Sequence, residues 1–252
     1  MEYDKLLNLG SELGRLLMHS GAEIYRVEES VTRLLTAYGL EPQVFAIPNC
    51  LIVSLDTPEG KPMTRMCRIG AHGTDIELLE RCNDLCRKLC AAPIPVDEAL
   101  KALEEVPKRQ RKFSAKMVLL GHVLAGSFFC AFFGGTVRDF LCAAVTGLAV
   151  GLCALYGQAL IGSNGFFRTV VGAAVAAAIP MVLVHLGLGD NQDLIIIGVL
   201  MLLVPGMALT NAMREIMAGD IISGVNRTAE VILVGAAIAI GTALPLMIAR
   251  LL

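Results

Sequence analysis

The chain has 252 residues, a mean hydropathy of +0.66, 55% hydrophobic residues and only 17% charged ones. That is too apolar for an entirely water-soluble domain, whose surface needs more charge. The charge is also uneven: residues 1–107 hold 11 Lys/Arg and 17 Asp/Glu (net −6), and residues 108–252 hold 10 and 6 (net +4), which sum to the −2 of the whole chain. The pattern predicts a soluble domain over 1–107, a basic linker over 108–116 and a membrane domain over 117–252.

Leu6, Leu9, Leu13, Leu16 and Leu17 recur at helical spacing and predict a first helix over residues 4–19. No basic stretch followed by an apolar core occurs in Met1–Leu7, so no cleaved signal peptide is expected. "SGAE" follows. Ser20 and Glu23 have capping-box spacing, which predicts a second helix opening at Gly21, with Ile24, Val27, Val31, Leu34 and Tyr38 as its buried stripe and Gly39 as its stop. "QVFAI", "LIVSLDT" and "PMTRMCRI" are rich in β-formers and are punctuated by Pro48-Asn49 and Pro58-Glu59-Gly60, which predicts three antiparallel strands. A helix from Thr74 or Asp75 to about Cys90, and another from Pro95 to about Val106, complete an α+β domain ordered helix–helix–three-stranded sheet–helix–helix.

Within it, Glu23, Arg26, Ser30 and Arg33 form a polar stripe that is either a solvated face or a ligand or docking surface. His19 and His72 are lone histidines with a structural reading, and "GAHGTD" at 70–75 lacks the spacing of a phosphate cradle. Cys82, Cys86 and Cys90 share one helix face, and no CxxC pair occurs, so the cysteines are expected to be reduced and structural, with no metal and no cofactor. No HExxH, no G-x-S-x-G and no carboxylate pair within an apolar segment is present, so no catalytic residue is expected. Nucleic acid is not an expected partner; a lipid bilayer is.

Five apolar segments follow, at about 117–134, 140–161, 170–188, 194–209 and 231–252, each near the ~20 residues that cross a bilayer. Lys108, Arg109, Arg111, Lys112 and Lys116 precede the first, Arg168 lies in the next loop on that side, and Arg214 and Arg227 in the last; Arg138 and Arg250 fall on the other side. By the positive-inside bias this predicts a bacterial inner-membrane protein with its N-terminal domain in the cytoplasm and its C-terminus outside. Gly147-x-x-x-Gly151, with Ala173, Ala177, Gly235, Ala239 and Gly241, predicts helix seams of small residues. His122 and His185 lie within spans, where a proton-relay role is the less favoured reading.

Between the fourth and fifth segments runs "VPGMALTNAMREIMAGDIISGVNRTAE", residues 204–230. Pro205 lacks an N–H and Gly206 loosens the backbone, so the fourth helix should break there. Broken helices in transporters line binding sites. Asn211, Arg214, Glu215, Asp220, Arg227 and Glu230 follow the break. The block reads either as a plain cytoplasmic loop with an interfacial helix, or as a pathway or gating element at the inner mouth whose Arg214 and Arg227 attract carboxylate groups of a substrate.

Together "SGAEIYRVEES" (20–30, containing Gly21, Glu23, Arg26 and Glu28) and the 204–230 block resemble the threonine/serine exporter family, over nearly the whole chain. The resemblance implies a secondary transporter that exports threonine and serine or, in two-component forms, dicarboxylates such as succinate. Long members of the family have ten spans. Five therefore imply a second small membrane subunit, or a homo-oligomer. An alternative is a non-transporting adaptor that the spans merely anchor while the soluble domain binds a partner.

Overall fold

A computed structural model of the chain describes residues 2–57, 60–70, 73–108, 113–162 and 164–251. His72, Pro58-Glu59 and the linker residues Arg109, Arg111 and Lys112 lie outside the described residues, as does the side chain of Arg250. Two compact units make up the chain: Met1–Arg111 with Thr210–Thr228, and Lys112–Leu209 with Ala229–Leu252.

The first unit contains α1 (Tyr3–His19), α2 (Ile24–Ala37), β1 (Pro42–Ile47), β2 (Cys50–Asp56), β3 (Pro62–Arg68), α3 (Ile76–Ala91) and α4 (Val96–Lys108). The strands form one antiparallel sheet in the order β1-β2-β3, with Val44 opposite Val53 and Val53 opposite Arg65. Alternation sends Leu51, Val53 and Leu55 of the central strand into the core. There they join Leu9, Leu13 and Leu17 of α1 and Ile24, Val27, Val31 and Leu34 of α2, all buried. Cys82 and Cys86 are buried on α3, where removal from water pushes both thiols up to about 12 and keeps them inert.

The expected capping box at Ser20 and Glu23 does not form. Ser20 is instead the C-cap of α1, and its hydroxyl donates to the Leu17 carbonyl. Gly21 takes φ +90°, its N–H donates to Met18 O, and Ala22 N–H donates to Leu17 O. This is the Schellman end of a helix, which needs a left-handed residue at Gly21. As a result α2 starts at Ile24, three residues later than expected, and its N-cap residue Glu23 makes no capping bond.

The second unit contains α5 (Ala115–Phe132), α6 (Val137–Ile161), α7 (Gly165–His185) and α8 (Gln192–Leu200). Two further helices, α9 (Gly206–Met217) and α10 (Ile221–Leu251), contribute residues to both units. Among the described residues, four helices are long and apolar enough to cross a membrane: Ala115–Phe132, Val137–Gly157, Gly165–His185 and Ile221–Ala249. The fourth expected span, 194–209, is not one helix. α8 has nine residues, about 14 Å at 1.5 Å per residue. After it the hydrogen bonds tighten to Leu202 N–H on Val199 O and Leu203 N–H on Leu200 O, and the helix stops before Pro205. The last helix begins at Ile221, ten residues before the expected start.

The predicted Gly147/Gly151 seam is a close approach of α6 to α5. A Cβ on Gly147 would lie 2.7 Å from the carbonyl oxygen of His122, and one on Gly151 would lie 3.0 Å from His122 Cβ. Gly241 likewise lies against the Val170 carbonyl, whereas Gly235 has open space around it and Ala239 is exposed. The His122 ring is 2.9 Å from Val118 O, one turn back, so its polarity is met locally. Gly147→Leu is therefore expected to lower stability by about 1–3 kcal/mol through overpacking. Gly235→Leu should change it by less than about 0.5 kcal/mol. Thermal unfolding in detergent, followed by helical circular dichroism, separates the two; equal melting temperatures would refute the seam.

Candidate functional site

The two quoted motifs meet in the first unit. The corner between α1 and α2, residues 21–24, is held by side chains from α9 and the first turns of α10. Asn211 Nδ2 donates to Gly21 O at 3.5 Å, and Arg227 Nη2 donates to Ala22 O at 2.8 Å. Arg214 Nη1 pairs with Glu23 Oε1 at 3.2 Å, and Ile24 N–H donates to Glu215 Oε1 at 3.2 Å. The N–H that Glu23 leaves uncapped at the start of α2 is thus capped by Glu215. A carboxylate suits that position, because a helix N-terminus carries partial positive charge.

Local sequence explains how α9 and α10 present these groups. α9 ends as α1 does: Gly219 takes φ +93°, its N–H donates to Ile216 O, and Asp220 N–H donates to Glu215 O. Asp220 then caps α10, accepting from Ser223 N–H at 3.4 Å. Gly224 lets the helices approach, since a Cβ there would lie 3.0 Å from Ala212 O. One turn on, Arg227 reaches Glu215, with Nε 3.1 Å from Oε1.

This pair is buried: Glu215 is 0% exposed and Arg227 9%. Glu215 Oε2 has no hydrogen-bond partner among the described residues. Burial pushes the Glu215 carboxyl above its ordinary value; Arg227 and the Ile24 N–H pull it down, and the charges of Asp220 and Glu23 add to the rise. Nearby, Glu28 accepts from Ala46 N–H at 2.7 Å, tying α2 to β1, and burial raises its carboxyl too. Arg26 lies 3.4 Å from Glu23 and donates to the Tyr25 hydroxyl.

Of the residues singled out from sequence, Gly21, Glu23, Asn211, Arg214, Glu215 and Arg227 come together, with Asp220 shaping the turn and Arg26 beside Glu23. Glu28 bonds β1 instead, and Pro205, Gly206 and Glu230 fall in the other unit. The arginines expected to attract a substrate carboxylate already hold the chain's own: Arg214 holds Glu23 and Arg227 holds Glu215.

A residue not singled out is Asp139. It is fully buried and accepts from the N–H groups of Asp190 (2.8 Å) and Asn191 (2.9 Å) through Oδ1, and from Thr136 N–H (3.0 Å) through Oδ2. The turn before α6 and the turn before α8 are thereby clasped together. Its sequence signal was present: Thr136-x-x-Asp139 is a capping-box spacing, and here the box forms, with Asp139 N–H on Thr136 Oγ1 at 3.3 Å.

A family model described as a threonine/serine exporter, ThrE, matches residues 8–249. The chain is 24% identical over 241 residues to the "Probable threonine/serine exporter" of Mycobacterium tuberculosis, covering 94% of this chain and 45% of that one. It is 23% identical over 257 residues to the threonine/serine exporter of Corynebacterium glutamicum, covering 98% and 52%. It is 27% identical over 222 residues to pheromone-regulated membrane protein 10 of Debaryomyces hansenii, covering 83% and 21%. The chain thus spans about half the length of the bacterial relatives it matches. No solved structure matches it. With a family match over nearly its whole length, the chain belongs to the threonine/serine exporter family.

Proposed function

We propose that this chain is one part of a secondary exporter in a bacterial inner membrane. Its solutes are small carboxylates: threonine and serine, by analogy with the relatives' names, or a dicarboxylate such as succinate. The first unit, with the 210–228 segment, lies in the cytoplasm, and the C-terminus lies outside. The pathway is completed by a second small membrane subunit or by another copy of this chain.

The observation that carries this reading is the packing of Thr210–Thr228 into the same compact unit as the N-terminal domain. Both stretches must then lie on one side of the bilayer, which requires an even number of crossings between them. α5, α6 and α7 supply three. The fourth falls to α8 together with the non-helical stretch before Pro205, a discontinuous element of the kind that lines solute pathways. An anchor would need no such element. In this reading Arg214, Glu215 and Arg227 act as a latch on the α1–α2 corner, and Pro205, Gly206 and Glu230 flank the 210–228 segment as parts of a gate.

Cells lacking this gene and that of its partner, loaded with threonine, serine or succinate, are expected to lose the true solute several-fold more slowly, with recovery on re-expression. Unchanged efflux of all three would overturn the proposal. Absence of labelled-solute flux in liposomes holding both purified subunits would favour the adaptor.

A further inference from the structure

We propose that Arg168 binds the carboxylate group of the exported solute, in a cavity of the membrane unit; this rests on the export reading above. The cavity has a volume of about 220 Å³ and lies between α6 and α7. Cys153 and Ala154 of α6 form one wall, and Gly165, Arg168 and Thr169 of α7 form the other. Leu203, from the stretch where α8 has ended, also lines it.

Three features single out this place. First, its arginine is free to bind. Arg214 and Arg227 hold Glu23 and Glu215, and Arg138 lies 3.6 Å from Asp190. Arg168, half-buried, has no ion pair among the described residues, and no Asp or Glu lines its cavity. A guanidinium with no carboxylate beside it keeps its planar fork open, and an arriving carboxylate can take it through two parallel N–H···O bonds.

Second, the size fits. The space of about 220 Å³ is many times the minimum that holds one water, roughly 10–15 Å³, and so admits a small solute such as threonine or succinate. Third, the irregular backbone has a reason to be here. Non-helical backbone at membrane depth is stable where it lines a cavity, and Leu203 puts the broken stretch at this one. On α7 the spacing 165, 168, 169, 172 turns two glycines, Arg168 and Thr169 to the same face, which leaves the guanidinium room to present its fork.

The test uses the purified full-length chain in detergent, with L-threonine, succinate and L-threoninol as probes. L-threoninol is threonine with its carboxylate reduced to an alcohol. Calorimetry is expected to show binding of L-threonine or succinate, whichever is the true class, and at least about tenfold weaker binding of L-threoninol. Arg168→Gln should weaken carboxylate binding about 10- to 100-fold, as loss of a charge-assisted pair does, and Arg168→Lys should fall between. Bound solute should also slow maleimide labelling of Cys153, read by peptide mass spectrometry.

Equal affinity for L-threoninol, or unprotected Cys153 at saturation, would overturn the proposal even if flux persists and the export reading stands. Both readouts use the unaltered chain, so they decide the matter if Arg168→Gln fails to fold. No binding of any probe also overturns it. Carboxylate binding that depends on Arg168, without flux in liposomes, would keep the site and remove the export reading.

Discussion

Arg227→Ala is expected to destabilise the N-terminal unit by about 3–5 kcal/mol, because it leaves the fully buried Glu215 without its cation. It also leaves the Ala22 carbonyl without its donor. The double variant Glu215→Leu/Arg227→Met should recover most of the loss, short of about 1 kcal/mol for the uncapped Ile24 N–H. The effect has a pH signature. The Glu215 carboxyl sits above its ordinary 4.5 in the folded chain, and removing Arg227 removes the main influence that lowers it. A carboxyl raised on folding favours the folded state below its unfolded value and loses that contribution as pH rises through the folded one. The deficit of Arg227→Ala should therefore be small near pH 4 and grow as pH rises past the raised value. Urea unfolding of the full chain in detergent across that range measures it. A loss below about 1 kcal/mol at neutral pH would mean the pair is no latch.

Asp139→Ala should cost the membrane unit about 3 kcal/mol, since the N–H groups of Thr136, Asp190 and Asn191 each lose an acceptor, at about 1 kcal/mol or more apiece. Asp139→Asn should recover only part, because an amide has one acceptor oxygen where the carboxylate has two, and its NH₂ would face donors. Asp190→Ala, at an exposed pair 3.6 Å from Arg138, should cost less than about 1 kcal/mol. Thermal unfolding that ranks Asp190→Ala at or above Asp139→Ala would show that the clasp does not hold the two turns.

The α+β order, the strand pairing and the glycine seam at Gly147 were legible in the sequence because each rests on local pattern: alternation, periodicity or small residues one turn apart. The capping boxes show where local pattern fails. Ser20-x-x-Glu23 and Thr136-x-x-Asp139 match the same template, yet only the second forms it. The deciding residue is the next one: Gly21 can take a left-handed backbone and so ends the helix before it, whereas Val137 cannot and opens a helix instead.

The fourth apolar segment did not come out as one helix, for a similar reason. Hydropathy averages over a window, but Pro205 acts at one residue and stops α8 after three turns or fewer. Both motifs of the site were visible as unusual stretches; their meeting was not. Nothing in residues 20–24 states that the partner of the Ile24 N–H lies 191 positions later. A free N–H at a helix start is silent in sequence until the acceptor is seen.

That separation has a consequence for biosynthesis. When residues 1–108 leave the ribosome, the strands and four helices of the soluble part can collapse, but the start of α2 has no cap and Glu23 no Arg214. Both arrive only with α9 and α10, after α5 to α8 have been made and handed to the insertion machinery. At roughly 5–20 residues per second the wait is about 5–20 s, during which the exposed corner is a natural client for a holding chaperone. On the proposed topology, the last contacts to form are then a built-in report that the intervening segments have gone in and brought the chain back to its starting side.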